Sequence, residues 1–216
     1  MRPVTDLTKM RVAFNGRLRR IRRVIASTLT GPADDHARAL AFAVVELDNL
    51  VMSAMREFII SSLRGARTAT GARVTVTGNF GSADAVGAYV LSIVQAVSFQ
   101  RLGSPHSVNR RQEAKIRDPR QVEQVLVACN ASNVTSVRNA LSLNTSLFSD
   151  VATVRNFYAH RNGDTWEKVR RQARNRGILT IKHPDELMSY HLPGRPVSLI
   201  EDWLDDAELF FDVITE

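Results

Sequence analysis

The chain has 216 residues with 44% hydrophobic content, enough to bury a core, and its length fits one domain or a domain with helical extensions. A formal net charge of +7, almost all of it arginine, fits a polyanionic partner, although such a bias also arises from genomic base composition. The single cysteine, Cys129, excludes an intramolecular disulfide, no Cys/His pair has zinc spacing, and no stretch approaches the roughly 20 apolar residues that span a bilayer; a cytoplasmic protein with no metal, cofactor or membrane partner is expected.

Residues 6–27 predict a helix, because Leu7, Met10, Phe14, Leu18, Ile21 and Ile25 recur at three- and four-residue steps, with Gly16 a mild flaw. Its other face carries Arg17, Arg19, Arg20, Arg22 and Arg23, which suits either a solvated face or one that tracks phosphates. Gly31-Pro32 breaks the chain. A long central helix follows over 33–63, with Asp34 and Asp35 in its first turn and an apolar pattern through Leu40, Val44, Leu47, Val51, Met55, Phe58 and Ile59. Glu46 and Asp48 lie within it; either could orient a catalytic arginine across the fold, although most charges on such helices are simply solvated.

Residues 65–82 change character. Gly65, Gly71, Gly78 and Gly81 punctuate Arg73–Thr77, which predicts a small β-hairpin or a loop insertion. Gly78-Asn-Phe-Gly81 has neither the Gly-Lys-Ser/Thr ending of a phosphate loop nor dinucleotide-site spacing. A helix from Ser82 or Asp84 is expected to run through Tyr89, Ile93 and Val97 to about Arg101. The segment 102–117, with Arg110-Arg111, reads as an exposed basic loop and a candidate contact for a polyanion. Asp118-Pro119 starts a helix reaching about Cys129, read as a small buried residue, and a short helical piece is expected over 133–141.

Ser146 to Arg161 predicts the next helix, ended by Asn162-Gly163, and Asp164 is expected to cap its successor, which carries Arg170, Arg171, Arg174 and Arg176. A short extended piece, Ile178–Ile181, and a turn-rich stretch precede a final acidic helix over 197–214, whose Asp202, Asp205, Asp206 and Asp212 suit solvation or pairing with the arginine-rich elements. The expected organisation is a basic N-terminal helix (1–30), a helical core (31–177) and a C-terminal extension (178–216), packed together.

Chemistry concentrates in Val151-Ala-Thr-Val-Arg155-Asn156-Phe-Tyr-Ala-His160. Arginine holds phosphate in two-point contact, histidine moves protons near neutrality, and asparagine adds a neutral hydrogen-bonding group. Arg-to-His pairs at similar spacing also occur at Arg101/His106 and Arg176/His183, but glycine interrupts both; only Arg155/His160 lies on one continuous helix. On that helix Leu147, Val151, Val154 and Tyr158 form an apolar stripe, Asn156 and His160 fall almost opposite it, and Arg155 sits at its edge. His160 occupies the last turn, where the negative end of the helix dipole suits a cation. Asn156 and His160 meet at i, i+4, whereas Arg155 must reach round; two copies of the helix about a two-fold axis would line one cleft with two arginines and two histidines. His36, His106, His183 and His191 have no partner spacing and read as structural or exposed.

Arg155-Asn156-Phe-Tyr-Ala-His160 resembles the hallmark of HEPN domains, small all-α domains many of which are metal-independent ribonucleases in toxins and phage-defence systems. Their pattern is Arg, then a polar residue, then His four to six residues after the Arg, late in a helix. The resemblance implies an all-α, HEPN-like antiparallel helical bundle around the long helix. It implies a homodimeric endoribonuclease with Arg155 and His160 catalytic and Asn156 supporting. RNA contacts are expected from Arg161, Arg170, Arg171 and Arg174, next to the motif, and from Arg110 and Arg111. An antitoxin or other regulatory partner is implied too. Some members carry a modifiable Tyr two residues beyond the His; Asn162 stands there, which argues against that mode of control. The alternative is a noncatalytic helical domain that binds RNA or nucleotide, or serves as a dimerisation adaptor.

Overall fold

A computed structural model describes residues 5–216. It is all-α, with no strand among the described residues. In chain order the helices are α1 (Leu7–Ala26), α2 (Ala33–Leu63), α3 (Ala83–Val94), α4 (Ala96–Arg101), α5 (Pro119–Ala128), α6 (Val134–Leu141), α7 (Leu147–His160), α8 (Gly163–Asn175), α9 (Pro184–Met188) and α10 (Leu199–Ile214). They form two compact units, each assembled from separated stretches of sequence, and α1, α2 and α10 contribute residues to both.

The first unit comprises the described residues up to Phe14, Val51–Asn144 and Phe210–Glu216. Its core gathers Leu7, Met10, Phe14, Phe58, Val86, Leu91, Val122, Leu126, Val137 and Phe211, all fully buried. Burying each such side chain contributes roughly 1.5–3 kcal/mol relative to leaving it in water. The rings of Phe14 and Phe211 lie 4.0 Å apart. Segment 64–82 is a loop rather than a hairpin of strands. Arg67 pairs with Asp6 and with Arg73 through isolated bridges only, and Thr77 N–H donates to the Cys129 carbonyl at 2.7 Å. Four glycines in nineteen residues explain this: they supply turns but no side chains to pack on a pleated surface.

The helix expected over 82–101 is two helices. Ser82 caps α3, its side chain accepting from the Ala85 N–H, but Gln95, at φ −139°, interrupts the path before α4. Asp118 caps α5 in a reciprocal arrangement with Gln121, with Pro119 in the first turn as its fixed φ favours. Cys129 is buried and its thiol is pushed up by that burial. Arg110 and Arg111 are exposed. Arg56 of α2 joins Glu57 and Glu113 in a half-sheltered ion cluster, in which burial pushes the Glu57 carboxyl up despite the guanidinium beside it.

The second unit comprises Asn15–Leu50 and Thr145–Leu209. Leu18, Ile21, Leu40, Val44, Leu47, Val154, Val169, Leu187, Trp203 and Leu204 fill its core. Arg22 bridges to α10 through Asp205 at 2.6 Å and Glu208 at 2.7 Å, so one member of the basic α1 face is spent internally, while Arg17, Arg19, Arg20 and Arg23 stay exposed. The acidic helix thus partly pairs with arginine, as also in Asp202 with Arg195 at 3.2 Å. α8 is capped by Asn162 with Thr165, not by Asp164: Asn162 Oδ1 accepts from the Thr165 N–H at 2.9 Å and fixes the α7–α8 corner. Residues 178–181 form no strand, and the turn-rich stretch after them contains the short helix α9.

Candidate functional site

The site is built on α7. Leu147, Val151 and Val154 are buried, and Tyr158 completes the stripe with its ring sheltered and its hydroxyl donating to Asp185 Oδ1 at 2.6 Å. Packing of that stripe turns the other side of the helix outward, where Asn156 is half-buried and His160 exposed. Neither side chain has a hydrogen bond to any described residue. The helix ends at His160 because Arg161 adopts a left-handed conformation, φ 45°, and donates its N–H to the Phe157 carbonyl at 2.7 Å. A left-handed closing residue is usually glycine or asparagine. Here an exposed arginine takes it, next in sequence to His160.

Arg155 is placed by α2. Its Nε lies 3.6 Å from Oδ2 of Asp48, whose side chain is only 6% exposed, whereas that of Arg155 is 28% exposed. At 3.6 Å this is an ion pair rather than a hydrogen bond. Of the two acidic residues singled out on this helix, Asp48 is the one that faces the motif arginine. Arg155, Asn156 and His160 are therefore brought to one helix segment, the arginine tethered at Nε and the other two groups unengaged.

Around it the arginines divide. Arg161 and Arg171 are exposed; Arg170 and Arg174 share Glu167, at 2.6 Å and 3.8 Å. Arg176 is drawn inward onto Asp150 and is largely sheltered. Arg110 and Arg111 belong to the other compact unit.

Sequence reasoning missed a second polar group packed beside α7. His183, immediately before α9, places Nδ1 2.6 Å from Asp185 Oδ2, and the other oxygen of the same carboxylate accepts the Tyr158 hydroxyl. The His183 ring stands edge-on to Phe157 with centroids 5.9 Å apart, and 6.2 Å from Tyr158. Trp166 of α8 closes on Phe157 at 5.5 Å. Burial, then the bond to Asp185, pushes the Tyr158 phenol far up, so it remains a proton donor to that carboxylate. The signal for α9 was present in Pro184-Asp185-Glu186, a proline followed by acidic residues, which marks a first helical turn. The meeting with Tyr158, across 27 residues of chain, left no trace in spacing.

Among the described residues, no three or more His, Cys, Asp or Glu side chains gather as a metal site would require. No helix is long and apolar enough to cross a membrane. Compared with protein-family models, curated proteins and solved structures, the chain matches none.

Proposed function

We propose that this chain is a metal-independent endoribonuclease of the HEPN type, acting as a homodimer, and that it serves as a toxin or phage-defence effector under an antitoxin or other regulatory partner. One observation carries the reading. Arg155, Asn156 and His160 stand within six residues of one helix, with Arg155 tethered to Asp48 at 3.6 Å and the other two side chains open to a ligand. A guanidinium anchored through Nε still offers its two terminal nitrogens to a phosphate. His160, at the solvent-facing end of α7, moves the proton needed for attack by the RNA 2′-hydroxyl on the adjoining phosphate, while Arg155 balances the charge that builds on its oxygens. Asn156 orients His160 or bonds the phosphate. Exposed Arg161 and Arg171 supply the surrounding positive field.

Such a reaction leaves a 2′,3′-cyclic phosphate and spares DNA, which lacks the internal nucleophile. The test is incubation of purified protein with RNA in EDTA. Cleavage by the wild type and none by His160→Ala is the expected result. Salt-sensitive binding without any shortening of the RNA would replace the reading with that of a noncatalytic RNA-binding or adaptor domain. Cleavage that needs a divalent ion, or survives loss of His160, would refute it.

A further inference from the structure

One side of α1 is consumed by the core, where Leu18, Ile21 and Ile25 are buried. At 100° per residue, Arg19, Arg20 and Arg23 fall within about 100° of one another and centre on the opposite side. All three are exposed. Arg22, which points elsewhere, is the arginine of this run that meets carboxylates, at Asp205 and Glu208. Arg19, Arg20 and Arg23 have no ion pair with any described residue. Nε of Arg19 donates to the Asn15 carbonyl at 3.3 Å and Nε of Arg23 to the Arg19 carbonyl at 3.4 Å, which leaves their terminal guanidinium nitrogens uncommitted.

A charged helix face that is merely solvated ordinarily mixes both signs, acid and base pairing across a turn. α1 has no Asp or Glu along its 20 residues. A biased base composition explains arginine in place of lysine, but not three unpaired cations on one side with no acid among them. We propose that Arg19, Arg20 and Arg23 form a contact surface for single-stranded nucleic acid, distinct from the α7 motif, that holds the phosphate backbone without reading base or sugar. The inference rests on the reading of RNA as the substrate.

The chemistry of the surface selects this partner. Residues three and four apart on a helix stand about 5–6 Å from one another, so Arg19 and Arg23, or Arg20 and Arg23, can take neighbouring phosphates of one strand, each in two-point contact. No aromatic side chain is exposed between Gly16 and Ser27, so nothing there stacks on a base. A membrane surface fits less well, because an interfacial helix turns its apolar face to the lipid. That face of α1 is buried, and between Gly16 and Ser27 the exposed residues other than arginine are Gly16, Ala26 and Ser27. Contacts to phosphates remote from the scissile bond are equal in the ground and transition states, so they lower KM and leave kcat alone.

The experiment titrates the full chain against a fluorescent single strand methylated at every 2′-hydroxyl, which cannot be cut, and against the matching DNA, over a range of salt. Both strands should bind with the same salt slope. Arg19→Gln/Arg20→Gln/Arg23→Gln should lower that slope by about 2, each phosphate contact on a single strand carrying about 0.7, and should weaken binding in about 0.1 M salt at least about 10-fold. A charge-matched control, Arg64→Gln/Arg120→Gln/Arg138→Gln, removes exposed arginines from the other compact unit and should move the slope by less than about 0.5. Urea unfolding confirms that both triple variants fold. With cleavable RNA, the α1 variant should raise KM and keep kcat within about 2-fold. If the two triple variants lose binding equally, or the α1 variant keeps the wild-type slope, this inference falls while cleavage by the wild type upholds the ribonuclease reading. Displacement of the strand from these arginines by vesicles of about 30% phosphatidylserine, with no loss of strand binding in the α1 variant, would make the partner a membrane and overturn it as well. A wild type that binds both strands through α1 yet leaves RNA intact upholds the surface and overturns the ribonuclease.

Discussion

Removing Arg155 should damage the fold as well as any chemistry, and the structure sets the size of that effect. Its Nε stands 3.6 Å from a carboxylate oxygen of Asp48 whose side chain is 6% exposed. At an effective dielectric of about 20, two unit charges at that distance attract by about 5 kcal/mol, while sheltering the carboxylate costs several kcal/mol in lost hydration. The pair is therefore worth little net, yet breaking it from one side is costly. Arg155→Ala removes a cation from beside a buried carboxylate that keeps other contacts, and should destabilise by about 2 kcal/mol, below the cost of leaving such a charge wholly unpaired. Asp48→Asn keeps the shape, leaves an arginine that water can reach, and should cost about 1–2 kcal/mol. The double variant should lose at least 1 kcal/mol less than the sum of the singles. Urea unfolding of the four proteins measures the cycle; additivity within about 0.5 kcal/mol would show that Asp48 does not hold Arg155, and the placement of the motif arginine would have to be abandoned.

Two helix-interior glycines, Gly16 and Gly87, should respond to alanine with opposite signs in the same unfolding assay. A Cβ on Gly16 meets nothing within 4 Å, so Gly16→Ala gains about 0.5–1 kcal/mol of helix propensity; on Gly87 it meets Glu113 Cγ at 3.0 Å and buried Val108 Cγ2 at 3.1 Å, so overpacking outweighs propensity and Gly87→Ala loses about 1 kcal/mol. Tyr158 should stay protonated where ordinary phenols ionise, near pH 10. Its folded pKa lies above its unfolded one, so its contribution to stability is complete below about pH 10 and is lost as pH rises through the folded value. Phenolate absorbance of wild type and Tyr158→Phe should therefore coincide up to about pH 11, and a difference below that would contradict the burial. Finally, if RNA binds near the motif, Arg171→Gln should reduce the slope of log affinity against log salt by about 1, whereas Arg176→Gln, whose charge is already engaged by Asp150, should leave it unchanged.

Periodicity alone carried the all-α fold and most helix positions, because an apolar stripe at three- and four-residue steps can be buried only by a helix. Leu7, Met10, Phe14, Leu18, Ile21 and Ile25 illustrate it: every one is buried along α1. Turn chemistry did the same at Asp118-Pro119, where side chain and ring act on their own backbone. The outward setting of Asn156 and His160 was legible for the same reason, being the complement of the stripe. Tertiary contact decided the rest. That Asp48 rather than Glu46 faces Arg155, that Arg176 is consumed by Asp150 while Arg171 remains open, and that Asp185 ties Tyr158 to His183 all depend on which surfaces meet. Local patterning fixes which side of a helix is apolar, but the partner of a charge is chosen by packing between segments far apart in the chain, and no spacing rule encodes that choice.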